Sequence, residues 1–191
     1  MKVLAINGSA RKDGNTAAML RMALAEIEAA GIETEMLQLH GKDIRGCIAC
    51  MKCWENKDGH CAVKKDMLNE IIDKMVAADG MILGSPTYFA NVSTNIKSII
   101  DRAGMVALAN DAMLARKVGA AVVAVRRGGA IHVFNSINHF YFINQMVVPG
   151  SSYWNLGRGM EPGEVESDEE GVLTMQNLGK NMAWVMQKLN A

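Results

Sequence analysis

The chain has 191 residues, half of them hydrophobic, and a single domain usually spans roughly 100–200 residues. Its 20 Lys and Arg residues balance its 20 Asp and Glu residues, so charge gives no reason to expect nucleic acid or a membrane surface as a partner. The N-terminal apolar run is too short for a signal peptide, and no apolar stretch approaches the roughly 20 residues that cross a bilayer. We therefore expect one domain over residues 1–191 of a cytoplasmic protein.

Strand and helix signals alternate along the chain. Apolar runs bounded by turn residues predict strands at 2–8, 34–39, 80–86, 117–125 and 145–151. Periodic apolar segments predict helices at 15–30, 65–78, 93–103, 131–144 and 169–189. Strands that alternate with helices pair in parallel through right-handed crossovers, with helices on both faces of the sheet. The sequence therefore predicts a three-layer, doubly wound α/β fold with five parallel strands.

The loops after the first, third and fourth strands are the expected functional loops, because ligands of doubly wound sheets bind beyond the carboxyl ends of the strands. The first loop, NGSARKDGNT at 7–16, carries Ser9, Arg11, Asn15 and Thr16. It leads into a helix N-terminus, where free N–H groups favour an anion. These short donors predict a phosphate site. The alternative is an ordinary polar turn in which Asn15 caps the helix.

Three segments carry a resemblance to a known family. NGSARKDGNT resembles the phosphate loop of the NADPH-dependent FMN reductases, a branch of the flavodoxin-like proteins. GSPTYFANVSTNIKSIIDR at 84–102 is similar to that family's second flavin loop and the helix after it. With the cysteine segment at about 46–63 and YWNLGRGMEPGEVESDEEG at 153–171, the resemblance is to iron–sulfur flavoproteins and covers nearly the whole chain. It implies a flavodoxin-like domain that binds FMN, in a homodimer or homotetramer where one subunit covers the other's flavin.

Two loops hold the residues that we expect to contact the flavin ring. In SPTYFAN at 85–91, backbone amides and a threonine can reach the polar edge of the ring, and two aromatic side chains offer apolar area. In VRRGGA at 125–130, glycines permit close approach, and an arginine can stabilise the negative charge of reduced flavin. Aromatic residues in the core and solvated arginines are the alternatives. The expected contacts are Pro86, Thr87, Tyr88, Phe89, Asn91, Arg126, Gly128 and Gly129.

All four cysteines lie in the loop after the second predicted strand. Cys47, Cys50, Cys53 and Cys61 form the pattern C-x2-C-x2-C-x7-C. In a cytoplasmic protein such clusters are more often metal-binding or redox-active than disulfide-bonded, and ferredoxin-type runs begin with the same C-x2-C-x2-C element. We therefore expect a [4Fe–4S] cluster. A zinc site, four free thiols and two disulfides are the alternatives.

These features predict an FMN-dependent oxidoreductase or electron-transfer flavoprotein. It would pass electrons from ferredoxin or NAD(P)H to a small-molecule or protein acceptor. The flavin would carry the chemistry, so we expect no catalytic acid or base from the protein. The alternatives are a cluster-free NAD(P)H-dependent FMN or quinone reductase and a non-enzymatic electron carrier.

Overall fold

The fold is built on one parallel sheet in the computed structural model, which describes residues 1–189 of the chain. Its strands are β1 (Lys2–Asn7), β2 (Glu33–Gln38), β3 (Gly80–Pro86), β4 (Val118–Val125) and β5 (Leu156–Arg158). They stand in the order β2-β1-β3-β4-β5, and each neighbouring pair is parallel. The strand order reverses at β1 and β3, so a crevice is expected beyond their carboxyl ends. The predicted doubly wound sheet is confirmed.

Helices cover both faces of this sheet. They are α1 (Asn15–Ala29), α2 (Lys52–Asn56), α3 (Leu68–Ala77), α4 (Thr94–Ala109), α5 (Ala130–Ile143) and α6 (Glu169–Leu189), with a 3-10 turn at Glu164–Ser167. Helices α1 and α6 share one core cluster with Val3 and Ala5 of β1. Helices α3, α4 and α5 share the other cluster with Leu4 and Ile6 of β1. Residues of β1 alternate between the two clusters because successive side chains of a strand point to opposite faces of the sheet. No helix among the described residues is both long enough and apolar enough to span a membrane.

The edge strand β5 lies elsewhere than the sequence predicts. The predicted strand at 145–151 is wrong, because only Val147 forms a bridge there, to Val118 at the start of β4. Pro149 has no backbone N–H to donate, and the chain leaves the sheet edge at this point. It returns at Leu156–Arg158, which pairs with the last residues of β4. This return brings the segment after Arg158 to the carboxyl ends of the strands.

Two helices differ from their predicted bounds by more than one residue at one end, and one was not predicted. Helix α4 continues to Ala109 rather than ending at residue 103, because Gly104 packs closely against Phe140 of α5 without interrupting the helix. Helix α3 begins at Leu68, three residues later than predicted. The short helix α2 lies inside the cysteine segment, where the sequence shows no helical periodicity.

Candidate functional site

A cavity of about 170 Å³ lies beyond the carboxyl ends of β1, β3 and β4. The four residues predicted to bind a phosphate line it together: Ser9, Arg11, Asn15 and Thr16. Four of the predicted ring contacts line it as well: Pro86, Thr87, Tyr88 and Arg126. Its remaining wall comes from Ala124 at the end of β4 and from Gly159 and Met160 just after β5. The structure therefore brings most of the predicted flavin contacts into one cavity.

The loop between β1 and α1 is shaped by its own side chains. The N–H of Ser9 donates to Oδ1 of Asn7 at 3.0 Å, and the N–H of Arg11 donates to Oγ of Ser9 at 3.0 Å. Helix α1 begins at Asn15, and its cap residue Gly14 offers no side-chain hydrogen bond to the first turn. The alternative in which Asn15 caps the helix is therefore wrong. The N–H groups of the first turn have no side-chain cap, which is the arrangement that favours an anion.

The segment after β5 is fastened to this loop by two side chains. Nη1 of Arg11 donates to the carbonyl of Met160 at 2.8 Å. Oδ1 of Asn15 accepts from the N–H groups of Gly163 at 3.0 Å and Val165 at 3.4 Å. The phosphate loop and the segment after β5 thus form one continuous wall. Sequence analysis did not show this connection, because it joins residues at opposite ends of the chain.

Thr87 carries an unpaired polar atom at the cavity. Its backbone N–H donates to the carbonyl of Ala124 at 2.9 Å. Its hydroxyl oxygen is buried and has no hydrogen-bond partner among the described residues. A buried polar group without a partner costs roughly 1–3 kcal/mol. Because this hydroxyl belongs to a residue that lines the cavity, it suits a ligand with a polar edge, as the isoalloxazine of FMN has.

The residues after Thr87 form a tight turn. Tyr88 and Asn91 exchange two backbone hydrogen bonds of 3.0 Å each, and Phe89 and Ala90 between them have φ values of 48° and 57°. Positive φ at both central positions is the geometry of a type I′ turn. Tyr88 lines the cavity, whereas Phe89 is fully exposed at the tip and Asn91 does not line the cavity. The flavin contacts predicted for Phe89 and Asn91 stay predictions.

Gly128 and Gly129 lie in a neighbouring cavity of about 240 Å³, together with Arg127. Gly129 has a φ of 88°, and a Cβ added to it would lie 3.0 Å from the Cβ of Ala90. Glycine therefore allows the loop after β4 to pack against the turn at 88–91. The predicted direct contacts of these two glycines with flavin stay predictions.

All four cysteines line a second cavity, of about 290 Å³. None of them is in a disulfide. Ala49, Met51 and Lys57 adopt left-handed backbone conformations between and after the first three cysteines, at a cost of roughly 1–2 kcal/mol each. Such strain in a loop is typical of binding sites.

The cysteines surround this cavity rather than converging on one point. Among the described residues, no group of three or more His, Cys, Asp or Glu side chains is placed to hold a single metal ion. Zinc requires its sulfur ligands about 2.3 Å from one point. The thiolates of an iron–sulfur cluster bind different iron atoms around a larger inorganic core. The structure thus shows four free thiols around one cavity, and the choice between a cluster and zinc is a matter for metal analysis.

Sequence analysis missed Arg102, whose buried guanidinium meets the cysteine segment. Nε and Nη2 of Arg102 each lie 3.4 Å from Sγ of Cys61. The same guanidinium forms a fully buried ion pair with Asp66. Burial alone would raise the pKa of Asp66, but hydrogen bonds from Arg102 and from two backbone N–H groups hold that pKa below its usual value. The only sequence signal was the place of Arg102 at the end of the segment 84–102, which carries the family resemblance.

Comparison with known proteins agrees with this fold and identifies the family. The family model for NADPH-dependent FMN reductases matches residues 1–161. An iron–sulfur flavoprotein of Methanocaldococcus jannaschii is 40% identical over 98% of both chains, and one of Methanosarcina thermophila is 32% identical over 98% of this chain and 96% of its own. The solved structure of RosB with 8-demethyl-8-formylriboflavin-5'-phosphate has the same fold, with a TM-score of 0.77 over 100% of this chain and 80% of its own at 21% identity. The chain therefore belongs to the NADPH-dependent FMN reductase family.

Proposed function

We propose that this protein is an oxidoreductase that binds FMN beyond β1, β3 and β4 and a [4Fe–4S] cluster among its four cysteines. It passes electrons from ferredoxin or a reduced nicotinamide to a small acceptor. Membership of the FMN reductase family supports a flavin oxidoreductase or electron carrier. The observation that carries the proposal is the single cavity shared by Arg11, the uncapped N-terminus of α1 and the unpaired hydroxyl of Thr87.

The phosphate end of the cavity supplies charge and hydrogen-bond donors. Arg11 contributes a positive charge, and the hydroxyls of Ser9 and Thr16 and the first turn of α1 contribute short donors. Charge-assisted hydrogen bonds of this kind are about twice as strong as neutral ones. These groups therefore bind the phosphate of FMN and fix the position of the rest of the molecule.

The ring end of the cavity is set by β3 and β4. When bound, FMN supplies hydride and single-electron chemistry. Thr87 offers its hydroxyl to the polar edge of the ring, Tyr88 offers an aromatic face, and Arg126 places a positive charge nearby. A cation in that position stabilises the negative charge of a reduced flavin. The protein thus tunes the cofactor by hydrogen bonding and charge.

The volume of the cavity indicates how much of FMN one chain encloses. Small-molecule pockets usually measure about 300–1,000 Å³, whereas this one measures about 170 Å³. FMN therefore extends beyond this cavity, past Tyr88 and Arg126, toward the adjoining open cavity of about 490 Å³, which shares Arg126, Gly159 and Met160 with it. An electron donor or acceptor has access to the ring there.

The cysteine cavity is the proposed cluster site. Cys47 and Cys50 are exposed, and Cys53 and Cys61 are partly buried, so the cavity has one open side. The relatives named iron–sulfur flavoproteins, which match nearly the whole chain, support this assignment. When bound, a cluster supplies one-electron exchange with a protein donor.

Steady-state kinetics tests the proposed activity. FMN-loaded protein is supplied with NADH, NADPH or reduced ferredoxin, and reduction of a quinone is followed under anaerobic conditions. We expect turnover with at least one donor, and no turnover in the flavin-free protein. Stoichiometric reduction of the protein without turnover would contradict an enzyme and favour a non-enzymatic electron carrier.

A second candidate is a cluster-free NAD(P)H-dependent FMN or quinone reductase. It is favoured by the absence, among residues 1–189, of a group of ligands placed for a single metal ion. In this case the cysteines bind no metal, and activity with NAD(P)H survives their replacement. Cys53→Ala protein that matches the wild type in iron content and in turnover with every donor would identify this candidate.

A further inference from the structure

Arg102 joins the two ends of the cysteine segment. Its side chain is 1% exposed, although arginine is rarely buried unless it is paired. Nη1 donates to the carbonyl of Arg45 at 2.9 Å, before the first cysteine, and Nη2 donates to the carbonyl of Val63 at 2.9 Å, after the last. Nη1 and Nη2 also donate to the two carboxylate oxygens of Asp66. One side chain of α4 therefore closes the loop that carries all four thiols.

The ion pair with Asp66 reinforces the same closure. Oδ2 of Asp66 accepts from the N–H of Arg45 at 3.0 Å, and Oδ1 accepts from the N–H of Leu68 at 3.2 Å. Asp66 thus binds the segment before the cysteines, the start of α3 and Arg102 at once. These contacts alone would close the loop. The contacts between Arg102 and the thiol of Cys61 are additional to them.

Cys61 is the thiol that this arrangement fixes. Its backbone N–H donates to Oδ1 of Asn69 at 2.8 Å, and its carbonyl accepts from Nδ2 of Asn69 at 2.9 Å. Its sulfur faces Nε and Nη2 of Arg102 at 3.4 Å each. Cys47, in contrast, is exposed, and within residues 1–189 its sulfur accepts a hydrogen bond only from the N–H of Ala49, at 3.5 Å. Cys61 is therefore held in place by the protein alone.

We propose that Arg102 is a positioning residue that sets the reduction potential at the cysteine cavity and assists cluster assembly there. This inference rests on the proposed function. Hydrogen bonds to the sulfur atoms are one of the factors that set the potential of an iron–sulfur cluster. Two N–H donors on Cys61 withdraw electron density from its sulfur, so they stabilise the reduced, more negative state. Their removal shifts the midpoint potential to a more negative value and lowers the amount of iron retained.

The test variant is Asp66→Asn with Arg102→Met. It removes one charge of each sign, so the net charge is unchanged, and the Asn oxygen can still accept from a backbone N–H. Arg102→Lys is a second variant, which keeps the buried charge but cannot donate to both loop ends and to Cys61. Lys180→Gln is the control, because Lys180 lies in α6 on the opposite face of the sheet, is exposed and pairs with Glu26 rather than with a residue of the cysteine cavity.

Each protein is reconstituted anaerobically with iron and sulfide. Iron is quantified, FMN binding is checked, and the midpoint potential is taken from a redox titration followed by electron paramagnetic resonance. We expect less iron and a more negative potential in both Arg102 variants, with FMN binding unchanged, and wild-type values for Lys180→Gln. If the double variant holds no cluster, the potential of Arg102→Lys decides the inference, because a loss of iron alone fits a merely structural closure as well.

The outcomes separate this inference from the function on which it rests. Arg102 variants that retain less iron but have the wild-type potential would show a merely structural closure and overturn the inference. Wild-type iron content and potential in every variant would overturn it as well, with the proposed function intact. A wild-type protein that binds no iron under these conditions contradicts the proposed cluster and the inference together.

Discussion

At the scale of single residues, the cavity beyond β1 and β3 combines a positive charge with a hydroxyl that lacks a partner. Arg11 is bound at its guanidinium to the carbonyl of Met160, on the rim of the cavity. The hydroxyl of Thr87 is buried and unpaired within the described residues. We therefore expect different effects from replacing them. Replacing Arg11 removes a charge, and replacing Thr87 removes a buried polar group.

Replacing Arg11 with Ala should weaken FMN binding and leave the fold intact. The loss of a charge-assisted hydrogen bond to the phosphate costs about 1.5–3 kcal/mol, or roughly tenfold to a hundredfold in affinity. Titration of apoprotein with FMN, followed by flavin fluorescence, measures the change. Urea unfolding should show only a small loss of stability, because the bond to Met160 is exposed.

Arg21→Ala is the matched control for Arg11. Arg21 also lies near the start of the chain, in α1, but it is exposed and pairs with Asp13 at 3.7 Å. Its replacement should leave FMN affinity unchanged. Riboflavin, which lacks the phosphate, should bind wild-type protein far more weakly than FMN does. Equal binding of riboflavin and FMN would refute the phosphate site.

Replacing Thr87 with Val should change stability and affinity in opposite directions. The variant removes a buried hydroxyl without a partner, so the free energy of unfolding of the apoprotein should stay equal or rise. It also removes the proposed hydrogen bond to FMN, so affinity should fall roughly twofold to tenfold. Thr94→Val, at an exposed position at the start of α4, should change neither quantity. A Thr87→Val apoprotein that is clearly less stable would argue against this account.

The sequence was sufficient to predict which loops share the cavity. Ser9 and Thr87 follow adjacent parallel strands, and the carboxyl ends of such strands meet at one edge of the sheet. It was not sufficient to predict the exposure of Phe89, which lies at the tip of a turn with two successive positive φ values. Arg102 could not be predicted either, since its contacts with Cys61 and Arg45 depend on how a long loop packs against α4.

At the scale of secondary-structure elements, helix α4 and the start of α3 are joined by the buried pair of Arg102 and Asp66. Desolvation makes such a pair costly to assemble. Removal of one partner leaves the other charge buried and unpaired, and this is the larger cost. The pair therefore makes the packing of the cysteine segment on α4 cooperative.

Arg102→Met alone should destabilise metal-free protein by about 3–5 kcal/mol. The double variant Asp66→Asn with Arg102→Met should lose much less stability, because neither charge is then left unpaired. Urea unfolding under reducing, metal-free conditions measures both. A double variant at least as unstable as Arg102→Met would show that the unpaired charge of Asp66 is not the cause of the lost stability.

The elements also show where a sequence pattern misleads. The apolar run at 145–151 has the composition of a strand, but Pro149 and Gly150 lie within it, and only Val147 bridges to β4. The short strand β5 was missed because Leu156–Arg158 has no apolar run to mark it. Its position is set by pairing with the last residues of β4, and this contact between distant parts of the chain cannot be read from the local sequence.

At the scale of the whole molecule, one surface carries a cluster of aromatic side chains. A cavity of about 490 Å³ beside α5 is lined by Phe134, Phe142, Tyr153 and Trp154, of which the last three are exposed. Aromatic side chains are enriched at the centres of protein interfaces. We therefore expect a homodimer or homotetramer in which a second copy covers this surface.

Phe142→Glu should therefore shift the protein toward the monomer. Trp184→Glu is the matched control, because Trp184 of α6 is 61% exposed, close to the 60% of Phe142, but lies on the opposite face of the sheet. Light scattering at micromolar concentration measures the mass of each protein with cofactors bound. A wild-type mass equal to one chain would refute the oligomer, and equal effects of both variants would refute the assigned surface.

The most direct test of the account is the content of flavin, iron and sulfide, measured on the same anaerobically purified sample. The measurement is made on the wild type and on Cys50→Ala, because Cys50 is exposed and its replacement should not disturb the core. The account predicts one FMN with about four iron and four sulfide per wild-type chain. It predicts that Cys50→Ala keeps the FMN and loses or converts the cluster, since the two cavities are formed by different loops. Wild-type protein with FMN but without iron and sulfide, or a Cys50→Ala protein with unchanged iron, would contradict it.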